Sequence, residues 1–159
     1  MSKGPEKTNA VRLAESQGVS FRLLSYSVDE DLSALHAAER LHLDPDRIFK
    51  TIIVVGERKG PFVCIIPGSC EIDFKKAAAA FGDKSCALLP LKELEPLTGY
   101  QRGGCSPLGM KKRLPTFLDE TSLLFDWISV SAGRRGLQML LSPGDLVSLS
   151  AANLADLLR

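Results

Sequence analysis

Phe49-Lys50-Thr51-Ile52-Ile53-Val54-Val55-Gly56-Glu57-Arg58-Lys59-Gly60-Pro61-Phe62-Val63-Cys64-Ile65-Ile66-Pro67 is the stretch from which the fold can be read. Two runs rich in β-branched and aromatic residues flank a short polar loop with a glycine at each end, and that pattern predicts a β-hairpin. Downstream, Asp73 stands where it would cap a helix over Phe74 to Phe81, and Gly82 closes it. Cys86 to Leu89 then reads as a short strand and Leu91 to Leu97 as a short helix; Pro115 to Leu118 and Trp127 to Ser131 are further strands. Gly133-Arg134-Arg135-Gly136 reads as a tight basic turn, with Leu137 to Leu141 pairing back across it. Ser142-Pro143-Gly144-Asp145 has the spacing of a helix capping box, and Asn153 to Arg159 is expected to be a terminal helix. Upstream, Pro5 to Gln17 predicts a helix stopped at Gly18, Phe21 to Tyr26 a strand, and Leu32 to Leu43 a helix ended by Asp44-Pro45-Asp46. Helices and strands thus interleave around at least two hairpin-like connections. This predicts a mixed sheet and an α+β fold, in one domain spanning 1–159.

Composition agrees with that reading. The chain has 159 residues, 45% of them hydrophobic and 25% charged, which suits one globular unit with its own core. No apolar run approaches the ~20 residues that cross a bilayer, and no apolar stretch follows the N-terminal lysines, so no membrane association is expected and cytoplasm is the default. The four cysteines show no C-x-x-C and no zinc-site spacing to histidine; Cys64 and Cys86 read as buried reduced thiols. Net charge is +1, too low for a protein that coats nucleic acid, and nothing points to DNA. A local basic site for one end of an RNA stays open.

Such a site is visible in Gly99-Tyr100-Gln101-Arg102-Gly103-Gly104-Cys105-Ser106-Pro107-Leu108-Gly109-Met110-Lys111-Lys112-Arg113, which lies in a window without acidic residues. Glycines let backbone amides approach a ligand, and exposed N–H groups with cations nearby suit a phosphate, a carboxylate or a polarised ester carbonyl. It is no standard nucleotide loop: Met110 follows Gly109 where a Walker motif needs lysine. Arg134 and Arg135 fall in a second acid-free window, either as a solvated hairpin tip or as a second basic contact.

Lys50 interrupts an otherwise apolar strand, so it either points into a cleft or protects a solvated edge. His36 and His42 lie six apart on one helix, off any common face, and no third ligand is in view, so no metal or other cofactor is expected. Ser106 lacks the setting of a nucleophile elbow. Cys105 is a sharper candidate, since neighbouring cations and amides would lower its pKa, yet it has no local base.

Phe49-Lys50-Thr51, Asp73-Phe74-Lys75-Lys76-Ala77, the glycine loop from Gly99 to Arg113, and Val130-Ser131-Ala132-Gly133-Arg134-Arg135-Gly136-Leu137 occur in the order and spacing of the YbaK/EbsC family. The chain resembles its free-standing Cys-tRNA(Pro) deacylases, which are similar to the editing domain inserted in bacterial prolyl-tRNA synthetases. The resemblance implies a mixed, mostly antiparallel, barrel-like sheet surrounded by helices. The implied activity is hydrolysis of the ester on a misacylated tRNA, most of all Cys-tRNA(Pro) or Cys-tRNA(Cys), by a hydrolase or lyase whose partners are aminoacyl-tRNA and a prolyl-tRNA synthetase. Lys50 matches the family's essential lysine, Tyr26 a pocket tyrosine and Ser131 the serine of its Ser-Gly-Gly-Lys-Arg-Gly segment. Gly103, Gly104, Ser106, Gly109 and Gly133 are then expected at the substrate, and Arg102, Lys111, Lys112, Arg113, Arg134 and Arg135 at the tRNA backbone. Departures are Cys105 for an aliphatic residue, Ser33-Ala34 for an aromatic residue and glycine, His42 for glycine, and the milder Ala132 and Arg134. A non-catalytic module that binds the tRNA acceptor end or a nucleotide is the alternative.

Overall fold

Phe49↔Pro67 through Gly56↔Gly60 pair antiparallel, so the hairpin forms as its sequence predicts. The computed structural model describes residues 7–159. In chain order its elements are α1 (Asn9–Ser16), β1 (Arg22–Ser25), α2 (Ala34–Leu41), β2 (Phe49–Gly56), β3 (Gly60–Pro67), α3 (Phe74–Phe81), β4 (Cys86–Leu88), α4 (Leu94–Thr98), β5 (Thr116–Asp119), β6 (Ile128–Arg134), β7 (Leu137–Leu141), α5 (Pro143–Ser150) and β8 (Asn153–Ala155). Single 3₁₀ turns precede α4 and follow β5. The first two residues of the expected opening helix, 5 and 6, lie outside the described residues.

Local chemistry accounts for most of these boundaries. Asp73 accepts the Lys76 amide at 3.0 Å, and Gly82 ends α3 at φ 77, a left-handed conformation that a Cβ resists. Thr8 caps α1 through the Val11 amide at 3.1 Å, and Ser142 caps α5 through the Asp145 amide at 3.1 Å. His42, which stands where the resembled family has glycine, ends α2 at φ 55. The backbone needs the left-handed conformation there whichever residue supplies it.

The fold is α+β, with two sheets. One is antiparallel, ordered β1-β7-β6; the other is mixed, ordered β4-β2-β3-β5-β8, with β3, β5 and β8 parallel. The two do not close into a barrel. Among the described residues they meet through one bridge, Ile48↔Ser129, with the Ser129 amide donating to the Arg47 carbonyl at 2.8 Å. The outer edge of β2 is therefore divided: β4 pairs with Val54 to Gly56, while β6 reaches only Ile48.

The main core fills the space between the sheets. Phe49, Ile53, Val63 and Ile65 pack with Ile128, Val130, Met139 and the Ala10–Val11–Ala14 face of α1. The opposite face of the hairpin buries Val54, Phe62, Cys64 and Ile66 against α3, with the Phe62 and Phe81 rings 4.2 Å apart and Phe117 edge-on to Phe62 at 5.9 Å. Full burial of one such side chain stabilises by about 1.5–3 kcal/mol, so both hairpin faces are anchored. A third cluster seats Ala37 and Ala38 of α2 on Ile48.

Two expectations are corrected. Residues 153–159 are not a helix: α5 ends at Ala151 in the left-handed region, and β8 runs parallel to β5 from Phe117↔Asn153 to Asp119↔Ala155. Buried Asp119 accepts the Leu157 amide at 2.9 Å and Leu158 bridges Ile72, so an open strand edge and a buried carboxylate outweigh helix propensity. The Gly133–Gly136 segment is more than a turn. β6 bulges between Ser131 and Arg134, with Gly133 at φ 102, and the turn itself is Arg135-Gly136.

Candidate functional site

Phe49, Lys50 and Thr51, the part of β2 that β4 does not pair, border a cavity of about 400 Å³. Phe49, Lys50 and Thr51 form one wall, the α2 residues Ala34, Leu35 and Ala37 a second, Gly103 and Cys105 a third, and Tyr26, Ser131 and Gln138 the base of the antiparallel sheet. Ser33 caps α2 through the His36 amide at 3.2 Å. His36 in turn reaches Asp29 at 2.8 Å and Asp31 at 3.7 Å, which ties the preceding loop to the helix and holds the Asp29 carboxyl below its ordinary pKa. Gly68 allows the close approach of α2: a Cβ there would stand 2.8 Å from the Ala34 Cβ.

Among the described residues, Lys50 is the charged residue of the cavity wall and no carboxylate lines it. Its Nζ donates to the Gly68 carbonyl at 3.3 Å, and it forms no ion pair among the described residues. Of the two readings open in the sequence, the cleft is the one this geometry matches. Tyr26 is half-buried at the cavity, its amide held by the Gly136 carbonyl at 2.9 Å, and burial raises its phenol pKa. Ser131 lines the cavity and accepts the Gly133 amide at 3.2 Å.

The glycine loop is split between cavity and scaffold. Gly103 faces the cavity. A Cβ on Gly104 would lie 2.8 Å from the Arg135 nitrogen and 2.9 Å from the Arg134 carbonyl carbon, so Gly104 docks the loop against the β6–β7 turn. Ser106 is fully buried away from the cavity wall, with its hydroxyl accepting the Leu108 amide at 3.2 Å. Gly109 abuts the backbone of Asn9 and, with Arg113, lines a separate cavity of about 210 Å³. Gly133 lies against the Tyr100 ring, with 2.8 Å from its would-be Cβ.

Arg102, Lys111, Lys112, Arg113, Arg134 and Arg135 are all exposed. Arg135 donates from Nε to the Arg102 carbonyl at 2.8 Å, linking the two basic segments. Cys105 does not have the lowered pKa its neighbours implied: burial pushes its thiol up to about 12. A thiol so protonated is a poor nucleophile.

The aminoacyl-tRNA editing domain model matches residues 30–149, which contain nearly all of this site. The chain belongs to the aminoacyl-tRNA editing domain family. It is 46% identical over 156 residues, 98% of this chain and 95% of the relative, to the "Putative Cys-tRNA(Pro)/Cys-tRNA(Cys) deacylase EbsC" of Enterococcus faecalis (strain ATCC 700802 / V583). An "Uncharacterized protein YwhH" of Bacillus subtilis (strain 168) is 31% identical over 114 residues, 72% of each chain. Among solved structures, a "putative trans-editing enzyme for prolyl tRNA synthetase" superposes with a TM-score of 0.85 at 26% identity, covering 99% of both chains.

Two residues of this editing domain's cavity escaped the sequence reading. Thr51 looks like an ordinary strand residue, yet its Oγ1 is buried without a hydrogen-bond partner. Gln138 interrupts the apolar strand Leu137–Leu141, and that break in the pattern was the available signal. Among the described residues no helix is long and apolar enough to cross a membrane, and no three His, Cys, Asp or Glu residues converge as metal ligands.

Proposed function

We propose that this chain, acting as one editing unit over 1–159, is an aminoacyl-tRNA deacylase that clears cysteine from Cys-tRNA(Pro) in the cytoplasm. The observation that carries the reading is the cavity itself: among the described residues it is lined by one cation, Lys50, without an ion-pair partner and by no carboxylate, with room for an amino acid and part of the terminal adenosine. An aminoacyl ester is already activated, so it needs positioning and electrostatic stabilisation more than a strong base. Lys50 holds the ester region as a point cation, and the amides of Gly103 and Cys105 face the carbonyl oxygen as negative charge develops on it. The remaining glycines, with Ser106, keep the loop in place.

As the resemblance to the Cys-tRNA(Pro) deacylases implies, and as suits a wall where burial keeps the Cys105 thiol protonated, the attacking group is the substrate's own thiol. Its sulfur bonds to the carbonyl carbon as the ester C–O bond breaks; the thiol proton passes to water, and the departing ribose oxygen takes one from water. Water then opens the thiolactone to free cysteine. Arg102, Lys111, Lys112, Arg134 and Arg135 contact the acceptor-stem phosphates, with Arg113 at the periphery. So few contacts on a chain of net charge +1 favour a prolyl-tRNA synthetase that hands over the substrate, and they argue against DNA as a ligand.

Release of free cysteine from Cys-tRNA(Pro) by catalytic amounts of protein tests the reading. Stoichiometric binding without turnover would replace it with the non-catalytic acceptor-end module.

A further inference from the structure

An open sheet edge offers backbone groups to any passing strand, and proteins usually guard it with a charge, a proline or a bulge. β1 carries the exposed Arg22, and β8 is followed by Asp156 in its ion pair with Lys76. β4 has no such guard: Ser85-Cys86-Ala87-Leu88-Leu89 contains neither charge nor proline. Among the described residues it pairs with β2 alone. The Leu89 amide donates to the Ile53 carbonyl at 3.0 Å and the Ser85 carbonyl accepts the Glu57 amide at 2.9 Å. Alternation along the strand therefore turns the backbone groups of Cys86 and Leu88 away from β2. Leu88, and Leu91 just past the strand, are each 58% exposed. Their chain neighbours Leu89 and Lys92 line an apolar groove of about 550 Å³ together with Val55, Pro61, Glu93, Pro96 and Leu97. Among the described residues neither Lys92 nor Glu93 is in an ion pair, and Glu95 does not line the groove.

We propose that this face binds a second copy of the chain about a two-fold axis, with β4 pairing antiparallel to its own copy and Leu91 entering the groove of the other subunit. Charge decides the occupant. A two-fold contact sets one patch against itself, so that residue i meets j and j meets i. A groove rim with one cation beside one anion is complementary to itself in that arrangement, because Lys92 of each copy meets Glu93 of the other. A phosphate backbone is poorly matched to the same rim, since it would meet Glu93 on apolar ground. The two-fold also satisfies both open edges at once: Cys86 stands opposite Leu88 of the second copy, across Ala87, and the two mixed sheets become one. None of these residues lines the candidate cavity or belongs to the basic segments, so the contact uses none of the proposed editing machinery. The inference goes beyond the deacylase reading and stands on other residues.

Sedimentation velocity of the full chain over about 5–500 µM, the range suited to a small interface, should show dimers that grow with concentration. Leu91→Asp, a change at an exposed position, should stay monomeric throughout that range. Lys92→Glu and Glu93→Lys should each weaken self-association by about tenfold or more, because symmetry counts every altered contact twice. An equimolar mixture of those two variants should associate again, as the doubly acidic rim meets the doubly basic one. Hydrogen exchange at the Cys86 and Leu88 amides should slow as the wild type is concentrated. A wild type that is monomeric at every concentration would overturn the inference and leave the groove to a different protein. So would dimers that survive Leu91→Asp, or a mixture of the charge variants no more associated than either variant alone.

Discussion

Replacing Lys50 with methionine separates catalysis from stability at one atom. The methionine keeps an unbranched apolar stem in the cavity wall and deletes the ammonium. In the structure that ammonium has one protein contact, the Gly68 carbonyl, at a long 3.3 Å, and no ion pair among the described residues. A well-formed hydrogen bond to a charged group contributes about 1.5–3 kcal/mol, and one at the outer edge of the distance range contributes less. Removing the charge also removes the cost of holding a partly desolvated cation. These opposing effects put the stability change of Lys50→Met within about 1 kcal/mol. On the proposed role of Lys50 as the cation that holds the ester, catalysis has no such offset: losing one preorganised electrostatic contact to the reacting group costs about 2.7–4 kcal/mol, a fall of roughly 10²–10³ in kcat. Single-turnover deacylation of Cys-tRNA(Pro) measures the rate, and urea unfolding the stability. Wild-type turnover in Lys50→Met, or a loss of stability as large as the loss in rate, would refute the reasoning and return Lys50 to the structural edge role.

Gly104→Ala should cut kcat/KM by about tenfold or more, because its Cβ would press on the Arg134–Arg135 backbone 2.8–2.9 Å away and lift the Gly103–Cys105 wall. Gly144→Ala in α5, where a Cβ meets nothing within 4 Å, should instead raise the urea-derived stability by about 0.5–1 kcal/mol and leave turnover unchanged. Burial raises the Cys64 and Cys105 thiols to about 12, so above their ordinary value of 9.0 the folded chain keeps protons that the unfolded chain releases. Stability then falls as pH rises from about 9 towards 12, approaching about 1.4 kcal/mol per unit for each thiol, and Cys105→Ala should remove about 1.4 kcal/mol of the total loss seen between pH 8 and 10 in urea titrations while retaining most activity. The Arg134→Ala/Arg135→Ala pair should lower the slope of log K against log salt by ~0.7–0.9 for each lost phosphate contact, and an unchanged slope would make the turn a solvated hairpin tip.

Legibility in the sequence followed how local each determinant is. The hairpin, the Asp73 and Gly82 caps of α3 and the β7 strand depend on neighbours within a few positions, and all form where the pattern puts them. The C-terminal segment depends on a slot beside β5 and on the buried Asp119 carboxylate, partners far away in sequence, so its helical composition misled. The glycine loop shows the same division within one motif. Its composition indicates that backbone comes close to something, but not whether that something is a ligand or the rest of the protein. Gly103 borders the cavity, yet at φ 83 a Cβ on it would also lie 2.9 Å from the Leu32 Cβ, and Gly104 and Gly109 are pressed by Arg134–Arg135 and Asn9, so all three glycines answer to the rest of the protein. Thr51 was invisible for the opposite reason, since threonine is at home in any strand and its missing partner exists only in three dimensions.

Lys50 shows how topology decides what sequence leaves open. A lysine in an apolar strand is a common device for protecting an exposed edge, and β2 does have an edge that is only partly paired. In an open sheet that edge would face water. Here β4 takes Val54 to Gly56, the Ile48↔Ser129 bridge takes the other end, and α2 packs across Ile48. The unpaired interval between them borders a cleft that stays open to solvent, and among the described residues the lysine on it hydrogen-bonds the Gly68 carbonyl and forms no ion pair. Closing the two sheets into a continuous barrel would pair that interval and erase the cavity. The open corner between the sheets is therefore the feature of this fold on which the candidate site depends.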